Sequence, residues 1–222
     1  MRAAIAGWVQ GMATTGVGAV MGLLAGGRVG AAVGAALSGL FAIPFGRAVA
    51  RGRPYQGPDG LRRCIVDATW SSPNTWAGAL FHGALRLRGN PLDVDRTRGT
   101  GSIWLVNGVV PRYATTIGTV KAGSNERIDR HEEVHVLQAR LFGPFYLPLV
   151  AVNFVVATLF PYWLLFPDRA GYTIDSVGAY FERGVYPHVW HELWAYRAAG
   201  RASPGGPRRA GSKGIDEGTH RR

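Results

Sequence analysis

The stretch His131-Glu132-Glu133-Val134-His135 reads H-E-x-x-H and carries the clearest chemistry in the sequence. Residues four apart lie one above the other on the same face of an α-helix. His131 and His135 would therefore direct two imidazoles at one point, which suits two ligand positions of a tetrahedral zinc ion. Glu132 would stand beside that point, where it could take a proton from a metal-bound water. The alternative is a surface helix with two incidental histidines.

The residues on either side of the motif predict that it lies on a helix. Ser124 or Asn125 can cap the amino end, and Leu137 and Leu141 continue an apolar pattern at helical spacing. Gly143-Pro144 predicts the carboxyl end of that helix.

A catalytic zinc ion needs three protein ligands and one open position. No further histidine closely follows His135, so the third ligand must lie downstream. The dense cluster of ligand-type residues there is His188, His191 and Glu192. Tyr186, Tyr196 and Arg197 lie close to that cluster in sequence, and we expect one of them to stabilise an oxyanion if the site is catalytic.

The motif also belongs to a longer pattern, made of His131-Glu132-x-Val134-His135-x-x-Gln138, Gly143-Pro144-Phe145, Pro148, an E-x-x-A segment at Glu192–Ala195 and Thr116-Ile117-Gly118. This pattern resembles a group of bacterial H-E-x-V-H proteins of zincin type. The resemblance extends loosely over residues 73–197 and is good only over 131–148. It implies a zinc site in which Glu192 is the third ligand beside His131 and His135, with Trp190-His191 standing where those proteins have Asn-Pro.

The amino-terminal region predicts a membrane segment. There is no charge from Ala3 to Gly27 or from Val29 to Gly46, and Arg28 stands between these runs. Either two transmembrane helices turn near Gly26-Gly27-Arg28, or one long helix contains Arg28. Arginines before and after the region would hold both ends of a hairpin in the cytoplasm.

Small residues recur every four positions through this region and form a ladder that lets helix backbones approach closely in lipid. Its members are Gly18, Gly22, Gly26, Gly30, Gly34 and Ser38. The ladder predicts packing against a partner helix, either within the chain, in another membrane protein or in a homo-oligomer.

The rest of the chain predicts a mainly α membrane protein with a small antiparallel β-hairpin and a zincin-like helix that bears the motif. We expect a membrane region at 1–50, a basic linker at 51–72, a zincin-like domain at 73–199 and a disordered basic tail at 200–222. Asn107-Gly108 predicts the hairpin turn between Ser102–Val106 and Val109–Val120. Phe145–Phe166 carries no charge and predicts a membrane-embedded segment.

The formal net charge of +11 indicates an anionic partner. No nucleic-acid recognition motif accompanies it, so lipid headgroups are favoured over specific nucleic-acid binding. Abundant Ala, Gly and Arg with scarce Lys predict a bacterial protein of the inner membrane.

Two functions from different classes follow. One is a membrane-bound zinc metallohydrolase of the peptidase type. The other is a non-catalytic accessory or structural subunit of a membrane complex, in which the motif is vestigial or structural.

Overall fold

The structure is a computed structural model that describes residues 1–109, 114–123, 126–166 and 173–200, with the backbone alone for 126 and 127. It is mainly helical and divides into two compact units, Met1–Ala151 and Val152–Arg222. Each unit is described by itself. The expected helix caps Ser124 and Asn125, and the expected disordered tail from residue 201, lie outside the described residues.

The first unit begins with a helical hairpin. Helix α1 runs over Ala3–Gly52 and is broken at Gly26 and Gly27, whose backbone angles are not helical. A Cβ atom on Gly22 would lie 2.0 Å from the carbonyl oxygen of Gly30, and one on Gly18 would lie 2.6 Å from that of Gly34. The two limbs, residues 3–25 and 28–52, therefore run antiparallel in close contact. The chain forms the hairpin and not the single long helix, and its ladder packs within the chain.

Two stretches of the described chain are long and apolar enough to cross a membrane, namely Ala3–Gly52 and Ile128–Leu159. Each limb of the α1 hairpin matches a hydrocarbon core of about 30 Å. Near its tip Leu24 is 84% exposed and Val29 is 76% exposed. The tip thus presents apolar side chains that nothing within the unit covers.

The base of the hairpin packs on two further helices, α2 (Gly60–Ala68) and α3 (Ser72–Leu87). Phe45 and Val49 from the second limb join Cys64 and Ala79 in the main core. Helix α3 begins at Ser72, and Pro73 lies in its first turn, where proline is tolerated. The expected linker at 51–72, in contrast, contains α2, whose Cys64 is buried in that core.

A three-stranded sheet follows a one-turn helix, α4 (Val94–Thr97). Its strands are β1 (Ile103–Leu105), β2 (Thr115–Ile117) and β3 (Val120–Ala122), in the order β1-β3-β2. β1 pairs parallel with β3, and β2 pairs antiparallel with β3.

The antiparallel hairpin is therefore present, but Asn107-Gly108 is not its turn. The Asn107 backbone N–H donates to Oδ1 of Asn90, and the Asn107 carbonyl accepts from Asn90 Nδ2 at 2.7 Å. The turn lies instead at Gly118-Thr119, between β2 and β3. Gly118 has φ +56°, and a Cβ atom there would lie 1.9 Å from the Asn74 carbonyl oxygen. Only glycine fits this close approach to α3.

Helix α5 (Glu126–Phe142) carries the H-E-x-x-H motif and ends before Gly143, as predicted. Its last carbonyl oxygens are satisfied by side chains from the start of α3 and the residues before it. Ser71 Oγ and Asn74 Nδ2 both donate to the Ala139 carbonyl at 3.0 Å. Asn74 Nδ2 also donates to the Gly143 carbonyl at 2.6 Å. These bonds fix the carboxyl end of α5 against α3.

A buried ion pair joins α5 to α2. Arg140 donates to both carboxylate oxygens of Asp67, at 2.8 and 2.7 Å, and Tyr55 donates its hydroxyl to the same carboxylate. Asp67 is fully buried, and burial raises the pKa of its carboxyl, while Arg140 lowers it. Breaking the pair would leave an uncompensated buried charge, which is costly. Arg140 therefore stays directed at Asp67 in α2, and this fixes the rotation of α5 about its axis.

Beyond α5 lie a short 3-10 helix, Gly143–Phe145, and α6 (Tyr146–Leu159), which crosses the boundary between the two units. After α6, Pro161 precedes a second 3-10 helix, Tyr162–Leu165. The apolar segment Phe145–Phe166 is thus not one continuous helix.

The second unit continues with three short helical elements and a longer helix, which are α7 (Val177–Ala179), a π-helix (Tyr180–Val185), α8 (Tyr186–His188) and α9 (Trp190–Ala198). Its core contains Ala157, Val185 and Val189. Tyr180 donates its hydroxyl to the Thr158 carbonyl at 2.7 Å, which ties the π-helix to α6.

The hairpin packing makes a direct prediction. Gly22→Ala should destabilise the protein by about 1–3 kcal/mol, because the added methyl group would collide with the Gly30 carbonyl. Gly16→Ala in the same limb meets nothing within 4 Å and should be neutral or stabilising. The free energy of unfolding is measured for both variants in the same detergent. Equal values for the two variants would contradict the close packing of the two limbs.

Candidate metal centre

His131 and His135 lie on one face of α5 and meet at their ring nitrogens. The two Nε2 atoms are 3.0 Å apart, and the ring planes are inclined at 81°. Both side chains are buried. Two nitrogen ligands at about 2.0–2.1 Å from a tetrahedral zinc ion are about 3.3 Å apart, so a small opening of this pair would admit the ion.

The orientation of His135 is fixed through its other nitrogen. His135 Nδ1 lies 3.0 Å from Gln138 Oε1, which also accepts a hydrogen bond from the Tyr146 hydroxyl at 3.2 Å. An amide oxygen only accepts, so Nδ1 carries the proton and the lone pair of Nε2 faces His131. This is the tautomer that a metal ligand needs, and such supporting partners tune metal affinity.

The sequence alone did not predict that Gln138 and Tyr146 orient His135. Gln138 lies three residues after His135, which places both on the same face of α5, and this spacing was an available signal. Tyr146 reaches the site because Gly143, with φ +53°, turns the chain between α5 and α6. No local pattern in the sequence predicts that turn's direction.

Glu132 is buried beside the small sheet. The Thr116 hydroxyl donates to Glu132 Oε2 at 2.5 Å, and Glu132 is 4% exposed. Thr116 is in β2, which among the described residues pairs with β3 alone. The carboxylate is therefore held by a hydrogen bond next to an edge strand.

The predicted third ligand completes a candidate metal group. His131, His135 and Glu192 are all buried, and one ligand atom from each lies within 4.8 Å of the others. Two imidazole nitrogens and a carboxylate oxygen are common ligands of metal ions in proteins. These three residues could thus hold a metal ion.

The other residues of the downstream cluster are outside this group. His188 Nδ1 donates a hydrogen bond to the Gly184 carbonyl at 2.6 Å, and the His188 ring packs against Phe166. His191 packs edge-on against Phe154 at 5.3 Å. Both histidines are buried within the second unit.

The three oxyanion candidates differ in exposure. Tyr186 is 40% exposed and stacks on Phe154, Tyr196 is half-buried and Arg197 is exposed. Their predicted role in stabilising an oxyanion stays a prediction.

No protein-family model, curated protein or solved structure matches the chain. The resemblance to H-E-x-V-H proteins of zincin type therefore stays a prediction, and the site must be argued from its own geometry.

The supporting role of Gln138 can be measured. Gln138→Ala should weaken zinc binding about 10–100-fold, because His135 loses the acceptor that fixes its tautomer. Gln56→Ala removes an exposed glutamine and should leave the affinity unchanged. Competition with a chromophoric chelator gives both affinities; a Gln138→Ala affinity equal to that of the wild type would rule the role out.

Proposed function

We propose that the protein is a membrane-bound zinc metallohydrolase of the peptidase type. The observation that carries this proposal is the buried group of His131, His135 and Glu192, with the Glu132 carboxylate on the same helix. Zinc suits two imidazoles and a carboxylate, and such a set leaves a fourth position open.

His131, His135 and Glu192 would hold the zinc ion, which when bound would lower the pKa of a water molecule and polarise the scissile carbonyl. Glu132 takes the proton from the attacking water and later delivers it to the leaving amine. Thr116 donates to one carboxylate oxygen of Glu132, and in this proposal the other oxygen accepts the proton. Gln138 keeps His135 in the tautomer that binds metal.

A peptide substrate is favoured by the edge strand. β2 pairs with β3 on one side, and Thr116 in β2 contacts Glu132. An extended peptide that hydrogen-bonds to the side of β2 that pairs with no other described strand would bring its backbone to the catalytic carboxylate. Tyr186, Tyr196 and Arg197 remain the candidates for stabilising the oxyanion of such a substrate.

The membrane is the proposed location, and the inner membrane of a bacterium is the proposed compartment. The proposal requires that Phe145–Phe166 does not cross the bilayer once. A single crossing would separate His135 from Glu192 by about 30 Å, whereas zinc bonds are about 2 Å long. The end of α6 at Leu159 supports a segment that enters the bilayer without crossing it, since a helix of 14 residues spans about 21 Å.

Metal content is the first test of this function. The purified wild type should contain about one zinc ion per chain, and His135→Ala should contain none. His82→Leu is the matched control: burial against Phe45 lowers the pKa of His82 to about 4, so the ring is neutral, and the variant should keep its zinc. Absence of zinc from the wild type would favour the non-catalytic accessory subunit.

The catalytic base is tested separately. Glu132→Gln should keep zinc but hydrolyse a quenched fluorescent peptide library about 10²–10⁴-fold more slowly, because glutamine cannot accept the proton. Glu182→Gln changes an exposed carboxylate of the second unit and should leave the rate unchanged. A wild-type rate in Glu132→Gln would reject the mechanism.

A further inference from the structure

A cavity lies on the side of α5 that faces away from His131 and His135. It has a volume of about 540 Å³ and is bounded by α5, α2, the loop 99–102 and strand β3. Glu133, Leu137 and Arg140 line it from α5. These positions are on the opposite helical face from His131 and His135. The cavity belongs to the first unit and takes no part in the proposed hydrolysis.

Lys121 lines this cavity and lacks, among the described residues, a hydrogen-bond acceptor for its ammonium group. Its side chain is fully buried. Nζ lies 4.3 Å from the centre of the Trp104 ring, which gives it one cation–π contact. Burial lowers the pKa of Lys121 to about 8, against the opposing effect of Glu133 and Glu132.

The Lys121 ammonium group is therefore still largely protonated at pH 7. Burying a charge without hydrogen bonds is costly, and such groups are normally paired. An unpaired, charged lysine that lines a cavity of this size indicates an anionic ligand.

The other charges of the cavity leave a positive excess. Arg140 is neutralised by its bonds to Asp67. Arg62 and Arg63 also line the cavity, and their contacts to Asp59 are long, at 3.9 and 4.0 Å, and solvent-exposed. Exposed pairs of this kind contribute little. Lys121 and the two arginines thus face the single carboxylate that lines the cavity, that of Glu133.

Two exposed leucines of α5 also line the cavity. Leu137 is 54% exposed and Leu141 is 57% exposed, and both lie in the stretch Ile128–Leu159 that could cross a membrane. A soluble anion would gain nothing from these leucines. An anion that carries acyl chains would cover them and bury apolar surface.

We propose that this cavity binds the phosphoryl group of a membrane phospholipid, with Lys121 and Arg63 as the residues that hold the phosphoryl oxygens and Leu137 and Leu141 against the acyl chains. Lysine and arginine are the usual phosphate-binding side chains. The cavity uses none of the three candidate metal ligands, so failure of either assignment leaves the other standing.

The experiment measures binding of dioctanoyl phosphatidic acid to the full chain in nonionic detergent at pH 7, followed by tryptophan fluorescence, since Trp104 contacts Lys121. Lys121→Met and Arg63→Gln should each weaken binding about tenfold or more, because a hydrogen bond to a charged group is lost. Arg88→Gln changes an exposed arginine outside the cavity and should bind like the wild type. Dioctanoylglycerol, which lacks the phosphoryl group, should not bind.

Inorganic phosphate distinguishes the two sources of a phosphoryl group. It should compete only at concentrations far above those of the lipid; competition at equal concentration would assign the site to a soluble phosphate and overturn the lipid proposal. Lys121→Met keeps the side-chain length and removes a buried charge, so it should fold. If it does not, Arg63→Gln decides, and wild-type binding in that variant overturns the site.

Discussion

The carboxyl end of α5 is the constraint on which the rest of the first unit depends. Ser71 and Asn74 donate to the Ala139 and Gly143 carbonyl groups, so the end of the helix cannot slide along α3. Arg140 then reaches the buried Asp67, and this pair sets the rotation of α5 about its axis. Because α5 is fixed in both translation and rotation, each of its two faces has fixed surroundings. One face carries His131 and His135, and the other lines the cavity.

One face of α5 carries the candidate metal ligands, and the other lines the cavity that we propose for an anion. On the first, Gln138 and Tyr146 orient His135 toward His131, and the buried group with Glu192 could hold a metal ion. On the second, Arg140 and Glu133 line the cavity that contains Lys121. Catalytic and binding groups act best when their side chains are already locked by packing and hydrogen bonds. The anchored helix supplies that condition to both faces.

The sequence predicts those parts of the molecule that depend on local spacing. The four-residue interval puts His131 and His135 on one face, and glycines at the same interval let the limbs of α1 meet. Long-range pairings carry no such signal. β1 pairs with β3 rather than with β2, because Asn107 bonds to Asn90 instead of forming the turn. Lys121, in β3, looks like an ordinary strand residue in the sequence, and only the folded chain buries it against Trp104.

Zinc X-ray absorption spectroscopy on the purified full chain shows whether His131, His135 and Glu192 bind one zinc ion. We expect two imidazole nitrogens and oxygen ligands at about 2.0–2.1 Å, with the multiple-scattering signal of two rings. Glu192→Cys should then add a sulfur at about 2.3 Å. A wild-type spectrum with one imidazole or none, or a variant spectrum without sulfur, would show that these three residues are not the zinc ligands.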